Sequence, residues 1–332
     1  MKLTLIWQSS SYEERDWIKE LLGSIAVEQI VDGKHQLVMD DSLLIDSYLY
    51  RQPREYYESF RGKNAWLLHM SDETYEGGYE YYDCFRGVFR IYWSSFFNPR
   101  RVMQIPLGYT AGITPAPILP PHAERPYVWS FIGATGKSSR PEMTKALSPI
   151  VPNFLHTTDV PNAVNIGKPQ YQEILRNSAF APSAMGNVNL ECYRPYEALE
   201  CRSIPILEKR VGFDYFKHLL GEHPMPTFLT WNEAARFIEN IRKNPVEQEA
   251  LLTRCMEWWA AYKGSLKTQI QQFLEQPHGA ELGTMVSPLR SIPGMQAFEL
   301  LRHHSMPAFA RRVNRQVSRI VKEGQLRKTG RS

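Results

Sequence analysis

The sequence predicts an α/β protein built from two Rossmann-like halves, and three observations carry that prediction. Residues 1–113 alternate short apolar strand candidates with helix-like segments, the pattern of a parallel sheet covered by helices. Thr110–Pro126 then gathers Pro115, Pro117, Pro120, Pro121 and Pro126, the clearest composition shift in the chain. From Tyr127 a second strand–turn–helix series begins and runs to Gln276. The organisation expected is a first half at 1–113, a linker at 114–126 stiffened by its prolines, a second half at 127–276 and a tail at 277–332.

In the first half, Lys2–Trp7 reads as a buried strand. Ser9–Ser11 offer caps to a helix over Tyr12–Leu22, with Trp17, Ile18, Leu21 and Leu22 on its apolar face. His35–Met39 is the next strand candidate, and Asp40, Asp41 and Asp46 read as helix-capping acids. Trp66–Leu68 is a buried strand with His69, Ser71, Asp72 and Glu73 at its carboxyl end. Val88–Tyr92 follows, and Val102–Tyr109 reads as a strand ending in a Pro/Gly turn. Arg86 and Arg90 between them suit either a phosphate on an acceptor or nearby acids.

The second half opens with a strand at Tyr127–Ile132, followed by the turn Gly133-Ala-Thr-Gly136-Lys137-Ser-Ser-Arg140. Strands are expected at Asn153–Thr157, Ser178–Ala181, Ile204–Leu207 and Thr227–Leu229, with helices at Gln170–Asn177, Asp214–Leu220, Trp231–Lys243 and Val246–Gln276. Between the middle two strands lies Ser183-Ala-Met-Gly186-Asn187, from which a helix is expected to start near Val188 or Asn189.

Composition bounds the class. The 332 residues are 43% hydrophobic and 22% charged, values of a globular protein large enough for two cores. Aromatics reach 12%, which suits a sugar-handling cleft and an aromatic core equally. Cys84, Cys192, Cys201 and Cys255 form no CxxC pair or metal-ligand spacing, so free thiols in a reducing compartment are expected. With no apolar run of membrane-spanning length and a start directly on strand-like KLTLIW, the expected location is cytoplasmic, or peripheral at the inner membrane face.

In open α/β sheets ligands bind beyond the carboxyl ends of strands, so chemistry is sought there. Gly133 to Arg140 is a plausible diphosphate cradle, with Lys137 and Arg140 as cations; the bland alternative is a basic surface loop. The P-loop spacing is not met, and no GxGxxG follows the first strand, which argues against an ATPase or dinucleotide site. Gly186 permits close backbone approach to a ligand. Glu191, Arg194, Glu197 and Glu200 recur at three-residue steps, either as a solvated ion-pair ladder or as a site where Arg194 meets phosphate and Glu197 meets ribose hydroxyls. Asp72 and Glu73 have the chemistry of a general base, although acids after a strand more often cap helices.

A resemblance adds to this reading. Glu191-Cys-Tyr-Arg194-Pro-Tyr-Glu197-Ala-Leu-Glu200-Cys-Arg-Ser-Ile-Pro205 resembles the signature segment E-x-x-R-x-Y-E-A-L-E of exostosin-like glycosyltransferases, closest to the branch that includes the ribitol-phosphate xylosyltransferases. His69-Met-Ser71-Asp72-Glu73 resembles the H-x-S/G-D-E segment of the same branch, and Phe131-Ile-Gly133 with the following Arg140 resembles its F-x-G turn. The chain departs where the family usually has Gly, at Arg202 or Ser203.

The resemblance, over roughly 65–274, implies the GT-B fold: two Rossmann-like domains facing across a cleft, the second binding a nucleotide-sugar donor. It implies a hexosyl- or pentosyltransferase in glycan biosynthesis, with Gly133, Lys137, Arg140, Gly186, Asn187, Glu191, Arg194 and Glu197 around the donor and Asp72 or Glu73 as base. The reaction expected is inverting and metal-independent, because no DxD is present where a metal-bridged diphosphate needs one, and no cofactor beyond the donor is implied. Acceptors expected are a glycan, a polyol phosphate or a lipid-linked chain; a catalytically inactive nucleotide- or glycan-binding module of the same fold is the alternative.

The tail has its own character. From residue 300 onward there are nine Lys/Arg and one acid, Glu323, which leaves −4 on the rest of a chain whose net charge is +4. Phe309, Val313, Val317, Ile320 and Val321 recur at helical spacing, so a basic helix is expected. It suits peripheral contact with an anionic membrane and, equally, packing on its own domain. No recognition module accompanies the charge, so nucleic-acid binding is not expected.

Overall fold

The structure, a computed structural model, describes residues 2–32, 36–47, 49–75, 77–116, 119–136, 138–158, 166–277 and 282–304. Lys137 and the basic segment beyond 304 therefore lie outside the described residues.

The first sheet is formed by β1 (Leu3–Trp7), followed by α1 (Arg15–Leu22), β2 (Ala26–Val31), β3 (Ser42–Asp46), α2 (Arg54–Glu58), β4 (Ala65–His69), β5 (Gly87–Arg90) and β6 (Val102–Gln104). All pairings are parallel, in the order β2-β1-β3-β4-β5-β6, with Leu5 beside Leu43 and Leu44 beside Leu67. Every residue of β1, β3, β4 and β5 is buried, as expected for strands covered on both faces.

The second sheet comprises β7 (Tyr127–Ala134), α3 (Arg140–Leu147), β8 (Asn153–Thr158), α4 (Lys168–Arg176), β9 (Ser178–Ser183), α5 (Arg194–Glu200), β10 (Ile204–Glu208), α6 (Tyr215–Leu220), β11 (Thr227–Phe228) and α7 (Trp231–Ile241). It too is parallel, in the order β8-β7-β9-β10-β11. In both sheets the chain steps outward once and then returns to the other side of its first strand. Each sheet thus has a topological switch point, between β1 and β3 and between β7 and β9. Two such sheets flanked by helices make a GT-B-like α/β fold.

Three sequence expectations are corrected. Gln36–Met39 is not a strand; the third strand is Ser42–Asp46, and edge strand Ala26–Val31 is an addition to the expected set. Helix α1 starts at Arg15 without a serine cap, since Ser9 and Ser11 bond each other. Helix α5 starts at Arg194, not near Val188.

Helix α8 (Pro245–Glu275) ties the halves together. Its Trp259 stacks on Trp17 of α1, with ring centroids 5.6 Å apart, and its Lys263 bridges Glu20 at 3.2 Å and Glu200 at 2.7 Å. Farther along, Phe273 meets Phe89 of β5. Trp17 donates to Pro106 O, and Gly108 lies so close beneath it that a Cβ there would fall 2.2 Å from the indole. After α8 the chain crosses back over the first sheet, where Val286 bridges Phe97, and ends on α9 (Met295–Arg302). Among the described residues no helix is long and apolar enough to cross a membrane, and all four cysteines are free.

Candidate active site

At the switch point of the second sheet, β7 ends in Ala134 and α3 begins with Arg140, while Arg194 opens α5 behind β9. Both guanidiniums lie against Phe131, Arg194 at 4.4 Å and Arg140 at 5.8 Å from the ring centroid. Arg194 Nη2 donates to Ile132 O at 3.0 Å, and Arg140 Nη1 donates to Ala134 O at 2.9 Å. The Nε of each is buried without a hydrogen-bond partner, and among the described residues neither guanidinium pairs with a carboxylate. Burial, and then the neighbouring Arg194, bring Arg140 down to about 10. Gly133 is packed here as well; a Cβ on it would lie 3.3 Å from Arg194 Nη2. Two close like charges whose hydrogen bonds go only to carbonyls have the chemistry to receive an anion.

Glu73 reaches loop 184–191 from the first sheet. Glu73 Oε1 accepts backbone N–H bonds from Asn187 at 2.9 Å, Val188 at 3.0 Å and Asn189 at 3.4 Å, and Asn187 Nδ2 donates to Oε2 at 3.3 Å. Gly186 makes the approach possible, since a Cβ there would sit 3.0 Å from both Glu73 Oε1 and Glu191 O.

Glu191 stands ahead of α5, in the joint between the sheets rather than on a helix face. Its carboxylate accepts from Leu107 N at 2.7 Å, Tyr196 OH at 2.6 Å and Tyr215 OH at 2.5 Å. It is 1% exposed, and burial pushes it up to about 7. Glu197, in the first turn of α5, accepts from Thr110 Oγ1 at 2.5 Å and Tyr171 OH at 2.6 Å. Glu200 accepts from Trp259 and Lys263. The ladder read from spacing is thus not a solvated ion-pair row; each acid points to a separate neighbour.

Asp72 sits deeper. It pairs with Arg90 at 3.5 Å and accepts from Tyr79 OH, and Arg90 is fully buried with its guanidinium 4.1 Å from the Phe97 centroid. His69 beside it bonds Tyr82 OH at 2.7 Å, and burial pulls its imidazole down to about 4. Asp72→Asn would leave Arg90 without its counter-charge, so it should lower unfolding free energy by about 3–5 kcal/mol in urea titrations. A loss below about 1 kcal/mol would show that Arg90 does not need Asp72.

A second polar recess of about 320 Å³ opens at the switch point of the first sheet. Gln8 and Ser9 follow β1, Asp46 and Ser47 end β3, Ser71 follows β4, and Tyr193 of the second half closes it. Glu14 lines it too, 2% exposed, accepting from Tyr193 OH at 2.7 Å. Sequence reasoning does not single out Glu14, because its partner lies 179 residues away.

The fold defines the class: a GT-B-like α/β protein in which, among the described residues, two guanidiniums without carboxylate partners stand where the second sheet switches direction. Residues 114–278 match the family model of the RXYLT1 C-terminal domain, so this part of the chain is similar to that domain. The chain is similar to ribitol-5-phosphate xylosyltransferase 1 of Homo sapiens, 29% identical over 212 residues, covering 57% of this chain and 47% of the relative. The Mus musculus protein is 28% identical over 212 residues with the same coverage, and that of Danio rerio 27% identical over 210 residues. The chain spans about half the length of these curated relatives. Among solved structures, T4 phage β-glucosyltransferase shares the fold, with a TM-score of 0.51, 9% identity, and coverage of 83% of this chain and 100% of that one.

Proposed function

We propose that the protein is a glycosyltransferase that takes a sugar from a nucleotide-diphosphate donor and passes it, with inversion, to a hydroxyl of a glycan, polyol-phosphate or lipid-linked acceptor. The observation that carries this is the Arg140–Arg194 pair, without carboxylate partners among the described residues, at the switch point of the second sheet. A departing diphosphate gains negative charge, and two fixed guanidiniums stabilise it without a metal ion. Glu197 lies on the same helix as Arg194 and is suited to ribose hydroxyls, exchanging the Thr110 and Tyr171 bonds for donor bonds. Glu73 holds the Asn187–Asn189 loop beside the donor, with Gly186 leaving room for the Glu73 carboxylate and Gly133 for the Arg194 guanidinium. The relatives' names support a xylosyl donor, and the DNA-modifying β-glucosyltransferase that shares the fold has uridine diphosphoglucose as its substrate.

The test is thermal stabilisation by a panel of nucleotide sugars including UDP-xylose and UDP-glucose, followed by donor hydrolysis in EDTA. A donor at a hundred times its Kd should raise stability by about 2.7 kcal/mol. Slow release of free sugar should accompany it. Stabilisation without sugar release leaves only a binding module; no stabilisation by any donor sinks the reading.

A further inference from the structure

Inverting transfer needs a base beside the acceptor hydroxyl, and the two acids after β4 are already engaged. Asp72 serves Arg90 and Tyr79, and Glu73 is held by three consecutive backbone N–H groups. Neither lines the recess at the β1–β3 switch point; of that segment, Ser71 does.

Glu14 is placed differently. It stands at the N-cap position of α1 yet makes no side-chain capping bond; its carboxyl turns instead into the recess. Tyr193 OH holds it there, and Tyr193 directly precedes Arg194, so the carboxyl is tethered to the start of the helix that carries the proposed phosphate cation. Burial raises the Glu14 carboxyl above the usual carboxylate range, which makes its ionised form a stronger proton acceptor. Apart from Arg51, the recess wall is made of hydroxyl, amide and carboxylate side chains and has no aliphatic member, so it suits a ligand rich in hydroxyls. Its acids, Glu13, Glu14 and Asp46, outnumber its one cation, Arg51.

We propose that Glu14 is the general base and that the recess it lines seats an uncharged polyhydroxylated segment of the acceptor. The assignment rests on the glycosyltransferase reading. In the step, the acceptor O–H proton passes to a Glu14 carboxylate oxygen as the acceptor oxygen bonds the anomeric carbon. The bond from that carbon to the diphosphate breaks, and its electron pair leaves with the nucleoside diphosphate, beside Arg140 and Arg194.

The test uses the full chain with the donor selected by stabilisation, water as the basal acceptor, and ribitol or ribitol 5-phosphate as added acceptor. Glu14→Gln keeps an acceptor for Tyr193 OH, so its melting temperature and donor Kd should match wild type. Sugar release and transfer should fall by roughly a hundredfold or more. Formate should partly restore the rate to Glu14→Ala, which a merely structural role would not allow. Ribitol should accelerate donor turnover more than ribitol 5-phosphate. Wild-type transfer by Glu14→Gln overturns the base, and ribitol 5-phosphate matching or outperforming ribitol overturns the acceptor class. Failure of wild type to bind any donor removes the underlying reading instead, so the two failures are distinguishable.

Discussion

Arg194→Ala should lower turnover of the bound donor by roughly two orders of magnitude, and Arg140→Ala by a similar factor. Each guanidinium is held by one backbone carbonyl and packed on Phe131, so its direction is set before any ligand arrives. The arrangement is unfavourable without an anion, because two partly buried cations repel each other and each has an Nε lacking a hydrogen bond. Removing one relieves the other. The substituted proteins should therefore melt within a few degrees of wild type, while the interaction that strengthens as diphosphate leaves is lost. Lysine at 194 keeps the charge but cannot span the Ile132 carbonyl and a phosphate with one planar fork, so it should recover only part of the rate. Single-turnover rates at saturating donor, with melting curves, decide this. A folded Arg194→Ala protein with wild-type turnover would remove the anion site from the mechanism.

How much of this is legible in the sequence depends on where each residue's partners lie. The buried strands are legible because both faces are covered and their residues form short apolar runs, as in Ala65–His69 and Ser178–Ser183. Strand β2 is not, since its largely exposed Ala-Val-Glu-Gln-Ile-Val lies at a sheet edge and lacks a continuous apolar signal. Of Arg202 and Ser203, the two positions where the resembled family usually has glycine, Arg202 adopts a left-handed φ of 57°, and its carbonyl accepts from Arg125 and His122 of the proline-rich segment. The turn therefore keeps its course despite the departure. Charge spacing places Glu191, Arg194 and Glu197 together, but local periodicity cannot show that Glu191 is drawn into the joint by Leu107 and Tyr215. The same holds for Glu14 and Tyr193, and for Glu73 and the loop at 187–189. These partners are chosen by how the two halves meet.

That meeting point yields the other large effect. Glu191→Ala should destabilise the protein by roughly 3 kcal/mol or more, because Leu107 N, Tyr196 OH and Tyr215 OH lose a buried acceptor at once. Glu191→Gln should cost far less at neutral pH, since the amide oxygen takes the Leu107 and Tyr196 bonds and its NH₂ donates to a rotated Tyr215 hydroxyl. The two proteins should also differ in pH dependence. Burial raises the Glu191 carboxyl to about 7, above its ordinary value of 4.5, so the folded state favours the protonated form. The stability this lends is fully present below the ordinary value and is lost as pH climbs through about 7. Relative to wild type, Glu191→Gln should therefore gain stability as pH rises from about 4.5 to about 7, then level off. Because the residue joins Leu107, beyond β6, to the second half, Glu191→Ala should also loosen the two halves relative to each other. Hydrogen exchange should quicken at Leu107 and in loop 184–191 before it does in β4 or β7. A Glu191→Gln stability curve parallel to wild type across that pH range would show that the carboxyl is ionised in the joint throughout.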